Sequence, residues 1–116
     1  MDAEQKIIAL RETVANFIKE RQWGKYHLPK DLSMAIAIEA SELMELFLWK
    51  QTSIQEVVQD PILKEKVADE IADILIYLLS LVNTLGFDLS NIVTKKMAKN
   101  RVKYPASEFQ GNYEKR

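Results

Sequence analysis

The sequence predicts an all-α protein, folded as a four-helix bundle. Apolar residues recur at three-and-four spacing in four segments, and nothing reads as a run of alternating strands. The three Gly and three Pro lie mostly between those segments. One domain is expected, because 116 residues fill one compact core and are too few for two ordinary ones.

A first helix is expected from a cap at Asp2 to about Gln22, with Ile7, Leu10, Val14, Phe17 and Ile18 on one face. Trp23-Gly24-Lys25-Tyr26-His27-Leu28-Pro29 ends it in an aromatic-rich loop. Asp31 or Ser33 then caps a second helix reaching about Trp49. Thr52 and Ser53 open a short polar segment through Asp60. Pro61 suits the first turn of a third helix, which stops at Gly86 after Leu85. Asp88 or Ser90 begins a fourth helix that finishes before Tyr104-Pro105. Residues 1–105 form the domain in this reading, and residues 106–116, poor in apolar side chains, form a flexible C-terminal tail.

The segment Ile71 to Val82 is apolar nearly all round. A helix of a small isolated bundle has a wet face to spare, so this one predicts a subunit interface, in a homodimer or a homotetramer built as a dimer of dimers.

Composition excludes several functions. A net charge of −1 gives no bulk electrostatic case for a nucleic acid polymer or an anionic membrane as partner. With no Cys there are no disulfides, thiolate zinc sites or cysteine nucleophiles, and with His27 alone there is no multi-histidine metal site. The first residues are charged, unlike a signal peptide, and the longest apolar run, Ile74 to Leu79, falls far short of the ~20 residues that span a bilayer. A cytoplasmic, soluble protein is expected.

On helical wheels the acids fall in costly places. Glu39 sits among Leu32, Ile36, Leu43 and Leu46, with Glu42 three residues on. Glu70 aligns with Leu63, Ile74, Tyr77 and Leu81, with Asp73 three residues on. Two helices thus each turn a pair of acids into the bundle, with few basic residues on the same faces. Acids at this spacing are common on solvated helices, and one pair alone would mean little. Two pairs centred on apolar stripes point to a bound cation, because buried carboxylates repel one another and lose hydration. Oxygen-only ligands select a hard ion, Mg²⁺ or Mn²⁺. Glu45 and Asp69 fall off the inner faces and read as surface acids.

Lys96, Lys99, Asn100 and Lys103 share one side of the fourth helix, an arrangement suited to phosphate and equally to a solvated, cationic helix end. Trp23, Tyr26, His27, Trp49 and Tyr77 supply rings and one imidazole. Such rings are usually core, but Trp49 falls on the acid-bearing face and Tyr77 one turn past Asp73, within reach for stacking a nucleobase.

Glu39-Ala-Ser-Glu42 followed by Glu70-Ile-Ala-Asp73 resembles the ExxE…ExxD signature of the MazG-like nucleoside triphosphate pyrophosphohydrolases. Trp23-x-x-x-His27-x-Pro29, Phe47-x-Trp49, Asp73-Ile-Leu-Ile-Tyr77-Leu and Lys96-x-x-x-Asn100-Arg101-x-x-Tyr104-Pro105 extend the resemblance over all but the tail. The combination is most similar to the single-domain branch typified by dCTP pyrophosphatase. The resemblance implies Mg²⁺ held by Glu39, Glu42, Glu70 and Asp73, and a nucleotide pocket lined by Trp23, His27, Trp49, Tyr77, Lys96 and Asn100. It implies hydrolysis of a nucleoside triphosphate to the monophosphate and pyrophosphate, a house-cleaning of the nucleotide pool. Glu39 or Glu42 is the expected activator of water. Two indoles and the resemblance favour dCTP or a modified deoxypyrimidine triphosphate. The rival readings are a broad-specificity pyrophosphatase and a non-enzymatic helical interaction module whose acids are structural.

Overall fold

A computed structural model describes residues 1–113. It contains helices α1 (Ile7–Glu20), α2 (Pro29–Glu45), α3 (Ile54–Gln59), α4 (Pro61–Leu85), α5 (Leu89–Lys103) and α6 (Ala106–Phe109), with a 3-10 turn at Trp23–Tyr26. No strand occurs among the described residues. The four expected helices are α1, α2, α4 and α5.

Their ends differ from the sequence reading in instructive ways. α1 starts at Ile7, not beside Asp2, because the carbonyl of Met1 accepts from the amides of Glu4 and Gln5 in a separate turn and Lys6 is extended. It ends at Glu20, before the left-handed Gln22 (φ 54°). α2 starts at Pro29 itself, with Leu28 extended before it, so Asp31 lies within the first turn as an acid favoured by the helix dipole and neither it nor Ser33 is the cap. It also ends early, at Glu45, followed by turns through Trp49.

The segment read as polar and irregular holds α3. The Ser53 hydroxyl accepts from the Glu56 amide (3.1 Å) and donates to the Glu56 carboxylate (3.3 Å), so one side chain closes the first turn. Asp60 ends α3 and starts α4: its Oδ1 accepts from the amides of Ile62 and Leu63, each at 3.1 Å. Asp60→Ala leaves both amides without that acceptor. It is expected to cost about 1 kcal/mol, read as a lower midpoint in urea with an unchanged slope. An unchanged midpoint would mean water replaces the carboxylate without loss.

The chain forms two units, residues 1–85 and 86–116. In the first, α2 packs along α4, while α1 and α3 also lie against α4. Leu32 of α2 and Leu79 and Val82 of α4 are the only buried apolar residues among the described residues. α1 is tied to α4 by a reciprocal pair: Arg11 Nε donates to Asn83 Oδ1 (2.9 Å) and Asn83 Nδ2 donates to the Arg11 carbonyl (3.1 Å). Ile71, Leu75, Leu78 and Leu85 of α4 nevertheless leave an open stripe on either side of buried Val82, because all four are exposed within one chain.

In the second unit Asp88 caps α5 through the Asn91 amide (2.9 Å), and Tyr104 meets Phe109 of α6 edge to face with ring centres 5.1 Å apart. The segment expected as a tail thus includes a helical turn, and its residues 114–116 lie outside the described residues. Gly86 ends α4 as expected, at φ 69°, where a side chain would be strained. No single helix among the described residues is long and apolar enough to cross a membrane.

Candidate active site

The pairing of α2 with α4 turns the two acid pairs toward each other. Glu39, Glu42, Glu70 and Asp73 are all half-buried, whereas Glu45 and Asp69 are exposed, as the wheels predict. One carboxylate oxygen from each of Glu39, Glu70 and Asp73 lies within 4.8 Å of the other two. Glu42 stands close enough to Glu39 and Glu70 to raise both of their carboxyls. Oε2 of Glu39 and Oε2 of Glu70 are buried with no hydrogen-bond partner.

The electrostatics follow from this crowding. Burial pushes the Glu39 carboxyl up to about 7, helped by its hydrogen bond with Glu42 and repulsion from Glu42, Asp73 and Glu70. Glu70 is raised too, first by burial and then by repulsion from Glu42. No Lys, Arg or His forms an ion pair with any of the four among the described residues. Two orphaned carboxylate oxygens in a converging all-oxygen set match the needs of a hard divalent cation.

Beyond the acids, α4 leads into a cavity. Glu70, Asp73, Tyr77 and Ser80 follow one another at three- and four-residue steps, and Ser80 is the first α4 residue to line a space of about 340 Å³. Its other walls include Val14 and Ile18 of α1, His27 and Asn83. Tyr77, half-buried, therefore stands between the acids and the cavity. Trp23 lies in the 3-10 turn with its ring edge-on to Phe17 at 5.7 Å, while the Arg21 guanidinium covers Phe17 at 3.7 Å.

Trp49 departs from the sequence reading. It lies beyond the end of α2, not within the helix on the acid face, and its backbone is left-handed at φ 64° with 94% of the residue exposed. Lys96 and Asn100 belong to the second unit, on α5. Asn100 is half-buried, and Lys96 lines an open apolar groove of about 410 Å³ with Ile92, Val93 and Met97. The sequence reading passed over Ser80, Asn83 and Arg11. Two polar residues three apart in an otherwise apolar run, Ser80 and Asn83, were the available signal.

The MazG-like family matches residues 34–115, which takes in all four acids. The chain belongs to the MazG-like family. As a MazG-like protein it is 36% identical to mouse dCTP pyrophosphatase 1 over 104 residues, covering 89% of this chain and 61% of the relative. It is 39% identical to the human dCTP pyrophosphatase 1 over 99 residues, covering 84% and 58%. The chain thus spans about three fifths of the length of these relatives. Among solved structures, a pyrophosphatase from Archaeoglobus fulgidus superposes with a TM-score of 0.78 and 39% identity, over 88% of this chain and 94% of that one.

Proposed function

We propose that this MazG-like chain hydrolyses nucleoside triphosphates, with water, to the monophosphate and pyrophosphate. The two buried, partnerless oxygens of Glu39 and Glu70, in a four-acid cluster between α2 and α4, the latter of which also walls a cavity, carry the reading. Glu39, Glu42, Glu70 and Asp73 would hold Mg²⁺, with Mn²⁺ as a substitute. A bound ion would supply positive charge to offset that of the phosphates, and the α-phosphorus would be the centre that water attacks. Glu39 or Glu42 orients that water and receives its proton. The family resemblance assigns Trp23, His27, Trp49, Tyr77, Lys96 and Asn100 to nucleotide binding. It gives the rings to stacking, Lys96 to phosphate, and His27 and Asn100 to polar contacts, Asn100 to a base edge or a sugar hydroxyl. The names of the mammalian relatives and the modest cavity favour dCTP or a modified deoxypyrimidine triphosphate over purines.

The assembly belongs to the proposal as well. The open apolar stripe of α4 and the three-residue core support a homodimer or homotetramer in which a second copy covers that stripe. Light scattering at micromolar concentration is expected to give twice or four times the 13.4 kDa chain mass, and a monomer would remove this part.

Incubation with dCTP, dUTP, dTTP, dATP and dGTP plus Mg²⁺ tests the reaction. Pyrophosphate and monophosphate in equal amounts are expected, with the highest kcat/KM for dCTP. Equal values across the five would leave a broad-specificity enzyme. Orthophosphate would mean a phosphatase, and no product at all would favour an interaction module with structural acids.

A further inference from the structure

The acid cluster has a cavity on either side of it along α4. Toward the C-terminal end of the helix lies the one walled by His27 and Ser80. Toward the N-terminal end lies a second, of about 310 Å³. Its walls include Glu45, Leu46 and Lys50 at and beyond the end of α2, and Asp60, Leu63 and Lys66 where α4 begins. The two helices run in opposite directions here: Glu39 meets Glu70 and Asp73, whereas Glu45 and Leu46 share the second cavity with Leu63 and Lys66. Lys66 precedes Glu70 by four residues, one helical turn and a rise of about 6 Å on the same side of α4. The second cavity therefore adjoins the acids.

Neither lysine of this cavity has an anionic partner. Lys50 and Lys66 form no ion pair among the described residues, although Glu45 and Asp60 stand in the same walls. Asp60 is engaged elsewhere, because its Oδ1 accepts from the amides of Ile62 and Leu63 at the positive end of the α4 dipole. A nucleoside triphosphate is a linear molecule, whose β- and γ-phosphates lie across the α-phosphorus from the nucleoside. With the α-phosphorus at the acids and the nucleoside toward the His27 cavity, those two phosphates run toward Lys50 and Lys66. An ammonium group is a point charge that accepts phosphate oxygens from many directions.

We propose that Lys50 and Lys66 form a pyrophosphate subsite, which holds the β- and γ-phosphates before cleavage and pyrophosphate after it. The oxygen of water bonds to the α-phosphorus, and one of its protons passes to Glu39 or Glu42. The bond from the α-phosphorus to the α–β bridging oxygen breaks, and that oxygen departs on pyrophosphate with the electron pair. The two ammonium groups offset the charge that the leaving group gains. This inference rests on the nucleotide reading given above and adds the binding site of the leaving group.

The test measures inhibition of dCTP hydrolysis by each product, with Mg²⁺ present, in the parent and in the double variant Lys50→Met with Lys66→Met. The inhibition constant for pyrophosphate is expected to rise about tenfold, while that for dCMP stays within about twofold of the parent. A control double variant, Lys6→Met with Lys64→Met, removes the same charge from exposed residues outside the cavity and should leave both constants unchanged. An unmoved pyrophosphate constant in the first double variant overturns the inference, and so does an equal rise in the control. Should the first double variant fail to fold, titration of the parent with Mg²⁺ and pyrophosphate decides. The backbone amide signals of Leu46, Leu63 and Lys66 are expected to shift, and a titration that leaves all three in place overturns the inference. A parent that hydrolyses no triphosphate would remove the nucleotide reading and this inference with it, whereas hydrolysis with an unmoved pyrophosphate constant would remove only this inference.

Discussion

Glu70→Gln is expected to lower kcat/KM for the preferred triphosphate by about 100-fold or more while raising the melting temperature of the metal-free protein. The two effects share one cause. Glu70 is half-buried beside Glu42, Glu39 and Asp73, with Oε2 unpartnered and its carboxyl raised by burial and by repulsion from Glu42 and Asp73. A neutral amide of the same shape relieves that repulsion, and it also removes a charge that the proposed cation requires. Added Mg²⁺ should therefore raise the melting temperature of the parent well above that of the variant. Equal shifts in both would show that Glu70 is not a ligand.

The parent's pH dependence follows from Glu39. Its carboxyl sits at about 7 in the metal-free fold against an ordinary value of 4.5, so the folded state holds its proton more tightly than the unfolded chain. That contribution is complete below about 4.5 and is lost as pH rises through about 7. The metal-free melting temperature is expected to fall across this window. Stabilisation by Mg²⁺ should grow across it, because the cation competes with the proton for the same oxygens. Melts at pH 5, 6, 7 and 8 with chelator and with Mg²⁺ check the sign, and parallel curves would contradict it.

Trp49→Ala and Trp49→Gly are expected to lose activity together and to part in stability. Under the proposed stacking role, either truncation costs about 1–3 kcal/mol of base binding, a drop of roughly 10- to 100-fold in kcat/KM. The indole is 94% exposed, so the fold loses almost no buried surface. Backbone is what separates the variants. At φ 64° a side chain of any size costs roughly 1 kcal/mol relative to Gly, so Trp49→Gly should melt above both the parent and Trp49→Ala. Activity at parent level in either variant would take Trp49 out of the site. A Gly variant no more stable than the Ala variant would mean the left-handed turn carries no strain. A bulky residue kept at such an angle fits a backbone shaped for a ligand.

The sequence was most legible where a repeating face exists. Apolar spacing found α1, α2, α4 and α5 because each runs through three or more turns, and it placed Glu39 and Glu70 inward because their neighbours on the wheel are the side chains that join α2 to α4. α3 has six residues, too few for a period, yet Ser53-Ile-Gln-Glu56 is a capping box written in the sequence and simply passed over. The early end of α2 was not legible in that way. No Gly or Pro marks Leu46 to Trp49, and the left-handed turn there opposes the local preference of a tryptophan. Nor was the pair between Arg11 and Asn83, which meet only when α1 lies against α4.

The open stripe of α4, Ile71, Leu75, Leu78 and Leu85 around Val82, has a consequence for how much of this protein functions at a given abundance. In the proposed assembly the stripe is covered only by another copy, so the free energy of the folded form includes the logarithm of the chain's own concentration. For a dimer each tenfold dilution removes about 1.4 kcal/mol. Scarce chains would be partly unfolded and open to proteases, and plentiful ones folded and active. The active fraction would then rise more steeply than expression does, a threshold set by mass action with no separate regulator.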